Sequence, residues 1–306
     1  MTAYQSGATA AGAVAPRRFA RRAALTIPRR RAFNGVMLGL TYLAAALAML
    51  PLLLIFGYLL AKGASTVSLD FFTKMPAPVG QAGGGMANAI VGTLIIIATA
   101  SAIGLPVGIG AGLDLAESGV TKLATAVRFL ADVLNGLPSI VLGIFAWQLL
   151  VRPVGHFSAL AGGVALATMM IPLVTRTTEE MVRTVPPALR EAALALGYTR
   201  WRTSLTIVLR TALAGIVTGA LVAVARIAGE TAPLLFTALG NQFWSTRLDE
   251  PIAALPLQIF VYANSPYDEW RSQAWAGSLV LITLVLLISV AARYVTRARY
   301  GRGAGD

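Results

Sequence analysis

The chain has 306 residues, of which 57% are hydrophobic and only 12% charged, against about 25% charged in an average soluble protein. With a mean hydropathy of +0.72, it has too few polar side chains to cover a water-soluble domain, and a membrane protein is the class that remains. The formal net charge of +12 stands in arginine clusters between long apolar runs, which is how membrane proteins fix their orientation, while zero cysteines and a single histidine, His156, exclude a His/Cys metal site.

Residues 1–35 are rich in Ala, Gly and Arg, with seven arginines from Arg17 to Arg31 and no apolar periodicity before Phe33. They read as a disordered basic cytoplasmic tail. Residues 36–61 are apolar and too long for a signal-peptide core of roughly 7–15 residues, so they form a retained first transmembrane helix. A crossing needs about 20 residues at 1.5 Å rise, which places further spans near 87–113, 127–151, 159–175, 211–238 and 275–293. Small residues such as Gly104, Gly108, Gly110 and Gly112 let helix backbones approach where lipid supplies no hydrophobic drive. The expected fold class is therefore all-α and polytopic, about six transmembrane helices in a packed bundle, with the main transmembrane domain over 87–295. With the N-terminus in the cytoplasm, nineteen Lys and Arg fall inside and five outside, which supports a multi-pass protein with both termini cytoplasmic.

In the third span, Asp132 and Asn135 precede a Gly136-Leu137-Pro138 break, where proline frees a backbone carbonyl and bends the helix. Asp132 is placed to pair with Arg128 or Arg176 at the cytoplasmic boundary, a structural reading preferred over a direct place in a pathway. Thr175, Arg176 and Glu179 lie where the fourth span meets a long internal loop, as gating or structural residues. His156 stands alone in a short external loop.

The internal loop 176–210 reads RTTEEMVRTVPPALREAALALGYTRWRTSLTIVLR. Pro186 and Pro187 suit a first helical turn, an Ala/Leu-rich helix follows to about Leu196, Gly197 stops it, and Thr199 can cap a second helix. The result is a helix-turn-helix hairpin on the cytoplasmic face. In the fifth span, Arg226 and Glu230 are four apart and so expected on one helix face. A charge inside a membrane costs at least about 2.5–3.5 kcal/mol, so Arg226 faces a partner or a wet pathway. An intrahelical ion pair that merely pins the bundle is the alternative. The segment 240–274 mixes charges with aromatics, as an interfacial belt with a solvated loop does.

The spacing Glu191-Ala192-Ala193, three residues, Gly197, nine residues, Ile207, one residue, Leu209 resembles the EAA loop of bacterial ABC importer permeases, with Arg210 where that motif ends in proline. The stretches RIAGETAPLLFTALGNQFWS (226–245), RTTEEMVRTVP (176–186) and LPSIVLGIF (137–145) resemble the phosphate permeases of the PstA family. The resemblance, over about 87–295, implies a type I ABC importer permease with a MetI-like fold in a bacterial inner membrane. It further implies a PstC-like permease partner, two PstB-like ATPase subunits below, and a PstS-like phosphate-binding protein that docks on the outer segment. Glu191, Ala192, Ala193 and Gly197 would couple the chain to the ATPase, and Arg226 and Glu230 would line the substrate pathway. An arginine fork suits an oxyanion, and an ionised Glu230 would accept the phosphate O–H while repelling sulfate. Selectivity set wholly by the binding protein, with the pair acting only as a gate, is equally open. The chain carries no GxxxxGK[ST] loop, so ATP and Mg are expected on the partner ATPase, with no cofactor and no catalytic residue here. A membrane-embedded enzyme would need a nucleophile with a base, or a metal cluster. A permease for sulfate, molybdate or phosphonate is the nearest alternative.

Overall fold

Two prolines and a glycine account for the main departures from six simple rods. The computed structural model describes residues 16–81 and 83–300, with side chains over 31–81, 83–290 and at Tyr294. Apart from one isolated bridge between Leu239 and Ile252, its regular structure is helical. The chain divides into residues 1–58 and 59–306.

The first unit is the bulk of α1, Pro16–Gly63. The helix starts at Pro16 and not at Val36, so residues 16–35, expected as part of a disordered tail, are helical instead. Proline at a first helical position and a run of Ala and Arg, both strong helix formers, account for this. Residues 1–15 lie outside the described residues. The part from Arg31 to Gly63 is long and apolar enough to cross a membrane, and large apolar side chains such as Leu43, Leu47 and Leu54 are exposed along it.

In the second unit, α2 (Leu69–Thr73) leads to α3 (Ala87–Glu117) and α4 (Lys122–Gly136). Thr121 caps α4 by accepting from the Ala124 amide at 3.1 Å. Pro138 excludes Leu137 from the helical region, and Leu137 is extended, at φ −72° and ψ 139°. The chain restarts as α5 (Ser139–Ala146), a π-helical turn over Trp147–Val151, and α6 (Arg152–Val154). This second limb lies at 106° to α4. The expected third span over 127–151 is thus a broken one. Next comes α7 (Ala159–Arg183), eight residues longer than expected at its inner end. Ser158 caps it at the Ala161 amide, 3.1 Å, and Glu250 and Leu248 carbonyls accept from its Ala159 and Leu160 amides at 2.9 and 2.8 Å.

After a short α8 (Pro187–Ala195) and α9 (Arg200–Thr203), a π-helical turn at Ser204–Val208 runs into α10 (Leu209–Ala228). The expected fifth span over 211–238 stops at Gly229 and resumes as α11 (Ala232–Thr237). An outer loop, α12 (Leu255–Ala263) and α13 (Asp268–Tyr300) complete the chain. Among the described residues, five helices are long and apolar enough to span, or six with the bent pair counted as one.

The centre is α7, flanked by α3 and α10. Gly104, Gly108 and Gly112 of α3 seat against Met170, Val174 and Thr178, and Gly215 and Gly219 of α10 against Met181 and Thr177. Around this axis, Ile96, Leu166, Met170, Val174, Ile227, Leu234 and Leu257 form the main core. Van der Waals fit, with lipid as the competing solvent, holds such a core more than removal from water.

Candidate functional site

Three features carry the chemistry: the hairpin after α7, a cluster of ions beside it, and the break after α10. The hairpin forms because Pro186 and Pro187 start α8 and Gly197 ends it. Gly197 takes φ +84°, its amide donates to Leu194 O at 3.0 Å, and Tyr198 donates to Ala193 O at 3.1 Å. That pair of bonds is a Schellman C-cap, which needs a left-handed residue at the position Gly197 fills. Thr199 occupies the N-cap of α9, but its side chain makes no capping bond. The second limb is also not a separate helix on the membrane face, since it continues through the π turn as one rod over Arg200–Ala228. Ala193 is buried, whereas Glu191, Ala192 and Gly197 are exposed. Leu189, Leu194 and Leu196 are exposed beside them, so the loop presents three leucines and a carboxylate, Glu191, that has no partner among the described residues. Beside the hairpin, Val182 and Val185 at the end of α7 pack with Val208, Ala212 and Ile216 of the second limb and α10.

Glu179 is only 2% exposed and takes three arginines: Arg128 at 2.6 Å, Arg183 at 2.7 Å and Arg176 at 3.3 Å. Arg176 also grips Asp132 with both ends of its fork, at 2.9 and 2.6 Å. Of the two pairings expected for Asp132, the structure selects Arg176, and Arg128 goes to Glu179 instead. Arg128 further donates to the Leu115 and Gly119 carbonyls at 2.7 and 3.1 Å, so it holds α4 to the end of α3. The cluster therefore ties α3, α4 and α7 together. The i−3 and i+4 partners of Glu179, Arg176 and Arg183, are legible in the sequence. Arg128 is 51 residues away, and no local signal could assign it.

Arg226 and Glu230 do not share a helix face. The helix ends at Ala228, capped by Gly229, and Glu230 lies beyond. Arg226 is exposed in the last turn of α10, not at mid-span, and Glu230 is partly buried. Neither makes an ion pair among the described residues. Both flank the break in the fifth apolar segment, and the half-helix that follows, α11, packs on the half-helix α5. A β-carbon at Gly143 would come within 2.8 Å of Pro233 Cα, so only a glycine lets the two approach. On the far side, the outer loop is fastened by Asn88 and Asn241, whose amides donate to Asn241 O and Pro251 O at 2.9 and 3.1 Å. There Arg247 contacts Asp249 at 2.6 Å and Glu250 at 3.1 Å. Its hydrogen bond holds the Asp249 carboxyl below the usual carboxylate range.

The sequence pattern of the family described as binding-protein-dependent transport system inner membrane component matches residues 104–299. The phosphate transport system permease protein PstA of Yersinia pestis is 48% identical over 267 residues, covering 87% of this chain and 90% of that protein. The protein of the same name from Xylella fastidiosa is 49% identical, covering 87% and 93%. A probable PstA of Methanocaldococcus jannaschii is 38% identical over 82% of this chain and 89% of that protein. Among solved structures, a chain of the MetNI methionine ABC transporter in an inward-facing conformation has a TM-score of 0.55 and 22% identity, covering 70% and 96%. A chain of a bacterial ABC transporter that imports alginate has a TM-score of 0.57 and 16% identity, covering 88% and 99%. These two likenesses concern the fold.

Proposed function

We infer the function from family and geometry together: the chain belongs to the PstA family of binding-protein-dependent inner-membrane permeases, and it is the membrane-spanning subunit of an ABC importer that carries inorganic phosphate into the cytoplasm. A nucleotide-hydrolysing partner, which holds ATP and Mg, docks on the hairpin at Glu191, Ala192, Ala193 and Gly197. A PstC-like permease, two PstB-like ATPases and a PstS-like binding protein complete the assembly. Both termini face the cytoplasm, where the basic segments lie. The observation that carries the reading is the hairpin itself. A sharply capped, Ala-rich helix at the end of the central span offers an exposed carboxylate and exposed leucines, the pattern expected of a surface a second protein covers.

The pathway is assigned to the break after α10. An exposed guanidinium in a membrane segment, without an ion pair among the described residues, faces a partner or a wet pathway, and interrupted helices are where transporters commonly place their sites. Arg226 offers a fork for phosphate oxygens, and Glu230 stands beyond the cap to accept a hydrogen bond from the phosphate O–H. The Asp132, Arg176 and Glu179 cluster is assigned a structural task, clamping α3, α4 and α7 at the end that the hairpin drives. The test is uptake of labelled phosphate, with sulfate in parallel, in cells whose own copy carries Arg226→Ala, with membrane level and assembly checked. Assembly retained with phosphate uptake lost is the expected result. Normal uptake removes Arg226 and Glu230 from the pathway, and sulfate loss in place of phosphate loss overturns the substrate.

A further inference from the structure

One side chain of the hairpin spans two helix ends of the bundle. Arg190 lies on α8, and its Nη1 meets Glu117 Oε1 at 2.9 Å, at the last residue of α3. Its Nη2 donates to Val182 O at 3.1 Å, in the last turn of α7. Its Nε is buried without a hydrogen-bond partner, so the guanidinium is held in place by its two outer nitrogens. Glu117 and Val182 both sit where helix carbonyls lack partners and the negative end of the helix dipole favours a cation. One planar fork thus bonds α3 and α7 at once, a geometry a lysine cannot reproduce. Arg128 grips the same end of α3 from the other side, through Leu115 O. The pair also forms one wall of a cavity of about 530 Å³ between the α3 end and the hairpin, lined further by Asp114, Leu194, Arg200 and Trp201.

We propose that Arg190 is a positioning residue, a strut that makes α8 move as one body with the inner ends of α3 and α7, so that displacement of the hairpin reaches the pathway. The proposal rests on the reading of the hairpin as the dock for an ATPase. A strut whose two charges are each part-exposed adds little stability; its effect is to remove the freedom of α8 to tilt into the cavity. Without it, a push on α8 is absorbed locally and the bundle does not respond.

The test uses the assembled transporter in proteoliposomes, with ATP hydrolysis and phosphate uptake measured on one preparation. Arg190→Ala is expected to assemble and hydrolyse ATP while uptake falls roughly tenfold, inside the roughly 5–150-fold range of energetic coupling between sites. Arg190→Lys, which keeps the charge but cannot bond both helix ends at once, should recover little of the uptake. Spin labels replacing Leu196 and Val120, both strongly exposed in a chain with no cysteine of its own, report the strut directly. Their distance should keep one narrow distribution with and without ATP, and broaden in Arg190→Ala. Unchanged uptake in Arg190→Ala overturns the strut, as does a wild-type label distance that shifts with ATP. Should Arg190→Ala fail to assemble, Glu117→Ala at the exposed helix end, which removes the acceptor altogether, carries the test, and normal uptake in it overturns the proposal. ATP-driven uptake of another solute by the wild type, with the label distance constant, would remove phosphate and leave the strut standing.

Discussion

At the scale of single residues, Glu179 separates a buried ionic hub from a mobile gate. One carboxylate with two oxygens accepts from three arginines, and two of these come from its own helix. The third, Arg128, has a side chain only 15% exposed, so removing Glu179 strands a cation that water reaches poorly. Breaking a buried pair from one side costs about 3–5 kcal/mol, whereas the Arg176–Asp132 pair beside it, with Asp132 55% exposed, is worth no more than about 1 kcal/mol. Glu179→Ala is therefore expected to lower thermal stability in detergent sharply, and Asp132→Ala to leave it nearly unchanged. Equal melting temperatures for the two variants, with uptake lost only in Glu179→Ala, would make the cluster a gate instead of a clamp.

At the scale of elements, the decisive contacts are between backbones. A β-carbon at Gly112 would come within 2.5 Å of Thr175 O, a backbone atom that cannot rotate away, whereas at Gly110, on the same helix, it would meet nothing within 4 Å. Gly112→Ala should separate α3 from α7 and destabilise the bundle by about 1–3 kcal/mol. Gly110→Ala should be neutral or stabilising by up to about 1 kcal/mol through helix propensity. Thermal unfolding of the two purified variants in one detergent decides it, and equal loss in both would mean that the α3–α7 seam is not the tight one. The same contrast shows what the sequence could say. Apolar length and small-residue density announced the bundle, and Pro138 and Gly197 announced a break and a stop, since each acts on its own backbone. The sequence did not announce that α10 ends at Ala228. The apolar run continues to Ala238, and apolar length alone cannot distinguish one long helix from two short ones. That is why Arg226 and Glu230 were expected on one face. Nor could it pair Arg190 with Glu117 or Arg128 with Glu179, because charge partners across helices follow from the bundle's packing and not from spacing.

At the scale of the whole molecule, orientation follows from charge and not from any single contact. The first half of α4, the end of α7, the hairpin and the start of α10 carry Lys122, Arg128, Arg176, Arg183, Arg190, Arg200, Arg202 and Arg210, while the loop between α11 and α12 carries only Arg247. That arginine is already paired with Asp249 and Glu250. Lys and Arg in short loops decide which side stays in the cytoplasm, and acidic residues contribute little to that choice. The hairpin and Val120 should therefore lie inside and Gln242 outside. With no native cysteine, single replacements at Val120 and Gln242 can be labelled against a clean background. A membrane-impermeant maleimide is expected to modify Gln242→Cys in intact cells and Val120→Cys only after the membrane is opened. The reverse pattern would put the hairpin proposed to dock the ATPase on the wrong side of the bilayer from ATP, and an ATP-driven importer could not be built on this chain.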